Sequence, residues 1–181
     1  MKVESPIIAV VGNKGAGKTL FLTYIAEYSH LIEKRKVFCN FELNHIPFYD
    51  FDYKMLLELP DDMENGVILM DETQMGADAY DFLSKKSKAI TTLATQLRKR
   101  NLDLYMTTQR FTFIAKRLRD LTDYIFAMEV AKDYNNDIIK GVANVEVYDR
   151  NDIFDETPIK TFIFDGRNFF NHYNTDEVIK G

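Results

Sequence analysis

The chain has 181 residues, of which 46% are hydrophobic and 28% charged, and its net charge is −5. These values are typical of one globular domain with a sizeable core, and they argue against a protein that coats nucleic acid with its whole surface. No apolar run is long enough to span a membrane, no signal peptide is expected, and the single cysteine, Cys39, has no partner for an internal disulfide. We therefore expect a cytoplasmic protein.

The first predicted element is a buried strand over residues 7–11, followed directly by the P-loop pattern of residues 12–19. Glycine lets the backbone curl so that its N–H groups point at phosphate oxygens, and the helix that starts here adds its positive dipole end. Lys18 is expected to contact the β- and γ-phosphates, and the Thr19 hydroxyl to ligate Mg²⁺. The residues expected to bind the nucleotide are Gly12, Asn13, Lys14, Gly15, Ala16, Gly17, Lys18, Thr19 and Leu20.

Apolar residues at helical spacing predict an amphipathic helix from Lys18 to about Lys34, and a second strand follows over residues 36–40. A short helix is predicted at residues 53–58. The third strand, residues 66–70, ends in Asp71 and Glu72. At a strand end downstream of a P-loop, Asp71 is expected to hold Mg²⁺ and Glu72 to act as general base towards water. This acidic pair favours hydrolysis over phosphoryl transfer to a small acceptor.

The next helix is predicted over residues 85–100 and leads into a fourth strand, residues 102–108. Gln109 follows that strand, where its amide either contacts the γ-phosphate and the attacking water or is an ordinary turn residue. Phosphoryl transfer also benefits from an arginine that neutralises the charge developing in the transition state. Four arginines are candidates for this role, and for each of them the alternative is an ordinary surface arginine. The candidates are Arg98, Arg100, Arg110 and Arg119.

The remaining pattern predicts a basic helix over residues 112–121, a fifth strand over 124–130, and an antiparallel pair over 142–148 and 160–164. A final helix is predicted near residues 175–180. Alternating strands and helices indicate an α/β fold with a mostly parallel sheet flanked by helices and antiparallel strands towards the C-terminus. We expect one domain over residues 1–181, with its core in 5–130 and a strand extension in 138–181. Most of the aromatics at Phe111, Phe113, Phe169 and Phe170 are expected in the core rather than stacked on a partner.

Positive charge is concentrated between Ser84 and Arg119, where ten cations face one acid, so this segment carries +9 and the remainder −14. Such a run is either a solvated face or a basic patch on an acidic body. Its cations are Lys85, Lys86, Lys88, Arg98, Lys99, Arg100, Arg110, Lys116, Arg117 and Arg119.

The motif order resembles the FtsK–HerA superfamily of RecA-like ring ATPases. It is most similar to small viral DNA-packaging ATPases and to Zot-like proteins of filamentous phages. The resemblance covers residues 5–130 well and the tail only loosely. The matching motifs are the P-loop, Asp71-Glu72-Thr73-Gln74, Arg98-Lys99-Arg100-Asn101-Leu102, Thr107-Thr108-Gln109-Arg110, Arg119 with Leu121-Thr122-Asp123, and Asn174-Thr175-Asp176-Glu177-Val178.

The resemblance implies a RecA-like fold, with Gln109 as a sensor and Arg98 as a finger acting on a neighbouring subunit. It also implies an ATP- and Mg²⁺-dependent hexameric or pentameric ring that moves double-stranded DNA into a capsid and contacts a capsid or membrane-associated virion protein. A Zot-like ATPase for virion morphogenesis or secretion is the first alternative. Zot-like proteins usually carry a transmembrane segment after the ATPase domain, so the absence of one favours the packaging motors. A P-loop kinase or nucleotide switch is the second alternative. Lys14 lies one place too late for the signature lysine of partitioning ATPases.

Overall fold

The computed structural model of the chain describes residues 4–72, 87–150 and 157–173. Three helices are described: α1 (Lys18–Glu27), α2 (Ser87–Lys99) and α3 (Lys116–Leu121). The strands are β1 (Ile7–Val11), β2 (Lys36–Cys39), β3 (Tyr49–Asp50), β4 (Gly66–Met70), β5 (Leu102–Thr108), β6 (Tyr124–Lys132), β7 (Ile138–Asp149) and β8 (Lys160–Asp165). Short 3₁₀ helices lie at Tyr53–Leu57, Phe111–Phe113 and Arg167–Phe169.

Within the described residues, all eight strands form one sheet in the order β3-β2-β4-β5-β1-β6-β7-β8. The pairs from β3 to β6 are parallel, whereas β6–β7 and β7–β8 are antiparallel. The carboxyl ends of β1, β2, β4 and β5 therefore share one edge of the sheet, and their amino ends share the other. This confirms the predicted α/β class with a mostly parallel sheet and antiparallel strands towards the C-terminus.

Both faces of the sheet are covered, which is why the central strands are continuous apolar runs. Ile7 and Ala9 of β1 pack with buried residues of α2, α3 and the Tyr53–Leu57 turn. On the opposite face, Ile8 and Val10 pack with α1 and with the C-terminal strands. A third cluster joins α1 to β2 and β4. The P-loop therefore lies between a buried strand and a helix whose inner face is held by the core.

Two predicted helices differ from those observed. The helix predicted to reach Lys34 is α-helical only to Glu27, where a π-helical turn over Tyr28–Ile32 replaces it and Lys34 adopts a φ of 58°. The basic helix predicted over residues 112–121 begins only at Lys116, because Ile114 and Ala115 have extended backbones. Burial of the Ile114 side chain in the core holds this break.

The remaining differences concern short or terminal segments. β3 has two residues, too few for a periodic pattern, and the segment near residue 53 is a 3₁₀ turn. β6, β7 and β8 extend beyond their predicted ends and pair antiparallel as predicted. The predicted final helix near 175–180, Thr73, Gln74, the 174–178 motif, Lys85, Lys86 and the side chain of Lys88 lie outside the described residues.

Candidate active site

The P-loop joins the carboxyl end of β1 to α1, and its backbone requires glycine at two kinds of position. Gly15 and Gly17 have φ values of 84° and 86°, in the left-handed region that glycine adopts without strain. A methyl group at Gly12 would lie 2.5 Å from the carbonyl oxygen of Met128, so β6 passes too close for any side chain there. The loop is thus shaped by both β1 and β6.

The side chains of the P-loop divide into those that face solvent and those that face the core. Asn13 and Lys14 are exposed, whereas the side chains of Ala16 and Leu20 are buried, so those two can offer a ligand only their backbone. The Lys18 side chain folds back over the loop and donates hydrogen bonds to the carbonyl oxygens of Gly12 and Asn13, at 2.8 and 3.1 Å.

Lys18 is only 7% exposed. Burial lowers the pKa of its ammonium group, and the nearby carboxylates of Asp71 and Glu72 raise it in opposition. A buried ammonium held by carbonyl oxygens has incomplete charge compensation. The phosphate groups of a nucleotide would supply the missing negative charge.

Asp71 is the centre of the hydrogen-bond network at this edge of the sheet. Its carboxylate accepts hydrogen bonds from the Thr19 hydroxyl at 2.6 Å and from the Thr107 hydroxyl at 2.5 Å. Its backbone N–H donates to the Asn40 side chain at 2.7 Å, and its carbonyl accepts from the same amide at 3.0 Å. Three strands, β2, β4 and β5, therefore hold this residue against the first turn of α1.

The donor set at Asp71 fits a hard divalent cation, because such ions prefer carboxylate and hydroxyl oxygens. Asp71 and Thr19 are the two residues that the sequence predicts as Mg²⁺ ligands, and their side-chain oxygens lie 2.6 Å apart. Burial and, to a smaller extent, the Asp71 carboxylate raise the pKa of the Tyr173 hydroxyl.

Glu72 follows Asp71 with an exposed side chain and a backbone φ of 45°. A residue with a Cβ atom pays a penalty of about 1 kcal/mol or more in this left-handed conformation. The backbone N–H of Glu72 donates to the Thr107 hydroxyl at 2.7 Å, so one hydroxyl group contacts both acidic residues. The arrangement turns the Glu72 side chain out of the strand and into solvent beside the P-loop.

Gln109 lies half-buried one residue beyond the carboxyl end of β5. The preceding residue, Thr108, accepts a hydrogen bond from the Gly12 N–H at 3.2 Å through its carbonyl oxygen. Gln109 is therefore on the same edge of the sheet as Lys18, Thr19, Asp71 and Glu72. The structure brings these five predicted site residues to one place.

Arg98 and Arg100 lie at the amino edge of the sheet, whereas Arg110 lies at its carboxyl edge. Arg98, near the end of α2, pairs at 3.9 Å with Asp123, whose carboxylate accepts from the N–H of Ile7 at the amino end of β1. Arg100 at the same edge bonds the Pro60 carbonyl and pairs with Asp61. Since β1 has five residues, about 13 Å of strand separates Arg98's partner from the P-loop. Arg110 alone of the four candidates directly follows a residue of the P-loop edge.

From the sequence, no role is assigned to two residues that hydrogen-bond to Asp71, namely Asn40 and Thr107. Both occupy carboxyl ends of strands, which is the signal that could have found them. Their contact with Asp71 depends on β2 and β5 flanking β4, and sequence order does not give that arrangement.

Solved structures with similar folds include the N-terminal domain of zonular occludens toxin from Neisseria meningitidis, with 18% identity, a TM-score of 0.63, and coverage of 95% of this chain and 100% of that one. The genome packaging NTPase of Sulfolobus turreted icosahedral virus 2 in complex with ATP-γ-S matches with 14% identity, a TM-score of 0.53, and coverage of 90% and 98%. A KaiC-like protein from Pyrococcus horikoshii matches with 13% identity, a TM-score of 0.55, and coverage of 81% and 79%.

No protein-family model and no curated protein matches the sequence. In the part of the chain that is described, no helix combines the length and apolar character that crossing a bilayer requires. The similarity to solved structures at these identities concerns the fold. The chain has the RecA-like P-loop fold that the sequence predicts.

Proposed function

We propose that the chain is an ATP-hydrolysing motor that moves double-stranded DNA into a viral capsid as a ring of identical subunits. The observation that carries the ATPase proposal is the cluster at one sheet edge, where Lys18 and the Thr19–Asp71 pair adjoin Glu72 and Gln109. The similarity to a genome packaging NTPase bound to ATP-γ-S supports both the nucleotide and the process.

Each residue has a separate role in the proposed reaction. The P-loop backbone and Lys18 bind the phosphates, and Thr19 and Asp71 are the residues that would hold Mg²⁺, which neutralises phosphate charge when bound. Glu72 accepts the proton of the attacking water. Gln109 contacts the γ-phosphate and carries the change on hydrolysis into the segment that follows β5. The Thr107 hydroxyl positions Glu72 by accepting a hydrogen bond from the Glu72 backbone N–H.

Two substitutions test the chemistry. Lys18→Ala should abolish ATP binding or turnover, because the buried ammonium group is lost. Glu72→Gln should bind ATP and fail to hydrolyse it, and retained hydrolysis would remove Glu72 from its proposed role. The mass of the assembly, measured with a nonhydrolysable ATP analogue, tests the ring.

Arg98 lies at the amino edge of the sheet, far from the chain's own P-loop, which supports a role in a neighbouring subunit's site over a role in its own. Its side chain is 56% exposed and can exchange its weak pairing with Asp123 for a phosphate contact. Mixing inactive Arg98→Ala subunits with inactive Glu72→Gln subunits should restore part of the ATPase rate. No restoration would leave Arg98 as a cis or purely structural residue.

The second candidate function is a Zot-like ATPase for virion morphogenesis or secretion. It is favoured by the similarity to the zonular occludens toxin domain, which has a higher TM-score than that to the packaging NTPase. Duplex DNA at low salt separates the two candidates. A packaging motor should hydrolyse ATP faster with duplex DNA, whereas an unchanged rate would favour the second candidate.

A further inference from the structure

Among the described residues of the basic segment (84–119), the cations do not share one surface. Arg98 and Arg100 lie at the amino edge and pair with acidic residues there. Arg110, Lys116 and Arg117 lie beyond the carboxyl end of β5 and are exposed. Residues 104–119 contain no acid, and none of these three cations has a carboxylate ion-pair partner among residues 4–72, 87–150 and 157–173. Their charge is thus not neutralised within the described fold.

An exposed aromatic ring lies among these cations. Phe113 is 45% exposed, and the Arg110 guanidinium lies 5.9 Å from the centre of its ring. The next residue, Ile114, is completely buried, and Leu118 one turn into α3 is also completely buried. These two anchors fix the segment to the core, so Phe113 is displayed on a supported turn. From the sequence, most of Phe111, Phe113, Phe169 and Phe170 are expected in the core. That expectation is wrong, because Phe113 and Phe170 are exposed and Phe111 and Phe169 are only partly buried.

We propose that Arg110, Phe113, Lys116 and Arg117, here called the Arg110 patch, bind a nucleic-acid strand. The inference rests on the proposed function and adds the surface that contacts its DNA. Guanidinium and ammonium groups contact the phosphates of duplex or single-stranded DNA, and the Phe113 ring stacks on a base only where the strand is unpaired. A chain of net charge −5 repels a polyanion elsewhere, so contact is concentrated where cations are unneutralised.

The position of the patch connects it to the ATPase site. Arg110 follows Gln109 directly, the Thr108 hydroxyl donates to the Arg110 carbonyl at 3.1 Å, and that carbonyl also accepts from the Phe113 N–H at 2.9 Å. Thr108 in turn accepts from the Gly12 N–H. The P-loop and the patch are therefore joined by hydrogen bonds through Thr108 and Arg110, the two residues on either side of Gln109.

The test compares the full-length chain with Lys116→Ala/Arg117→Ala by fluorescence anisotropy of labelled duplex and single-stranded DNA. Lys132→Ala/Lys160→Ala is the matched control, because it also removes two exposed cations, which lie in β6 and β8 rather than in α3. Loss of two phosphate contacts should weaken DNA binding about tenfold at low salt and lower the slope of log K against log salt by about 2. The control variant should bind like the wild type. ATPase activity without DNA should be unchanged in both variants, which shows that they fold.

The outcomes separate the patch from the proposed function. If the wild type hydrolyses ATP and binds DNA but the patch variant binds equally well, the patch is overturned and the motor proposal stands. If the wild type hydrolyses ATP without binding either DNA, the DNA part of the proposed function falls together with the patch. Equal affinity of the wild type for poly-glutamate would assign the surface to an acidic protein and overturn the nucleic-acid assignment.

Phe113→Ala tests the role of the ring. It should weaken binding of single-stranded DNA by at least about fivefold and leave binding of duplex DNA within about twofold, because only unpaired bases offer a face for stacking. Equal affinity of Phe113→Ala and wild type for single-stranded DNA would remove the ring from the proposal. Phe113→Tyr, which keeps the aromatic face, should restore binding.

Discussion

Replacing Thr107 with valine tests whether one hydroxyl group organises the acidic pair. The Thr107 side chain is completely buried, and valine has nearly the same shape without the hydroxyl. The change removes the hydrogen bond to the Asp71 carboxylate, at 2.5 Å, and the acceptor for the Glu72 N–H, at 2.7 Å. Neither the P-loop nor its backbone contacts are altered.

The size of the effect follows from these two bonds. A hydrogen bond to a charged group contributes about 1.5–3 kcal/mol, and a backbone N–H that loses its acceptor adds to the loss, so we expect about 3 kcal/mol of destabilisation. For a chain of this length that lowers Tm by roughly 10 °C. Thr122→Val is the matched control, since its buried hydroxyl makes one neutral bond, to the Leu118 carbonyl at 3.0 Å. It should lose only about 1 kcal/mol.

Thr107→Val should also lower kcat for ATP hydrolysis with little change in KM, a pattern that a general loss of stability does not produce. Without Thr107 the left-handed conformation of Glu72 is no longer held, so kcat should fall at least about tenfold while KM for ATP stays within about twofold. Steady-state ATPase assays and thermal denaturation measure both effects, well below the Tm of each variant. If Thr107→Val matches Thr122→Val in Tm and keeps a wild-type kcat, the positioning role of Thr107 is refuted.

Three further predictions concern the P-loop and the sensor. Gly12→Ala should reduce the affinity for a fluorescent ATP analogue more than Gly15→Ala. Alanine at position 15 bears only the backbone strain of a positive φ, about 1–2 kcal/mol, whereas at position 12 its methyl group meets the Met128 carbonyl oxygen; equal losses would contradict this. Lys18→Met removes an ammonium group whose pKa is lowered by burial, which means that the unfolded state binds its proton more tightly than the folded state does. The wild type should therefore gain stability relative to the variant as pH rises towards 10.5. A Tm difference that does not change with pH would oppose this. Gln109→Ala should keep ATP binding but abolish any change in DNA affinity caused by an ATP analogue, measured by anisotropy; a retained change would disconnect Gln109 from the Arg110 patch.

The elements around the P-loop could be predicted because their signals are local. A buried strand, the loop pattern and the following helix are contiguous, and Asp71 and Glu72 end a strand whose five residues are all apolar or glycine. The order of the strands is not a local property, since β5 lies between β4 and β1 only in the folded sheet. The sequence could have placed Thr107 and Asn40 at carboxyl ends of strands, but their contacts with Asp71 depend on the strand order and could not be predicted.

The sequence also left the C-terminal strands without a role, and their packing gives them one. Phe164 of β8 contacts the Phe21 ring of α1 edge-on, with ring centres 5.1 Å apart. A methyl group at Gly166 would lie 2.5 Å from the Leu20 side chain, so the backbone after β8 rests directly on the P-loop helix. These contacts connect the C-terminal strands to the helix that carries Lys18 and Thr19.

A second connection runs to the acidic side of the site. Tyr173 forms an antiparallel bridge with Leu43, and burial together with the Asp71 carboxylate raises the pKa of its hydroxyl. Leu43 lies three residues after Asn40, which holds both backbone groups of Asp71. The segment after β8 therefore packs on the P-loop helix through Gly166 and pairs, through Tyr173, with the segment that follows Asn40. The C-terminal strands thus support both segments that carry the proposed site residues, and we expect the parallel strands alone to lack this support.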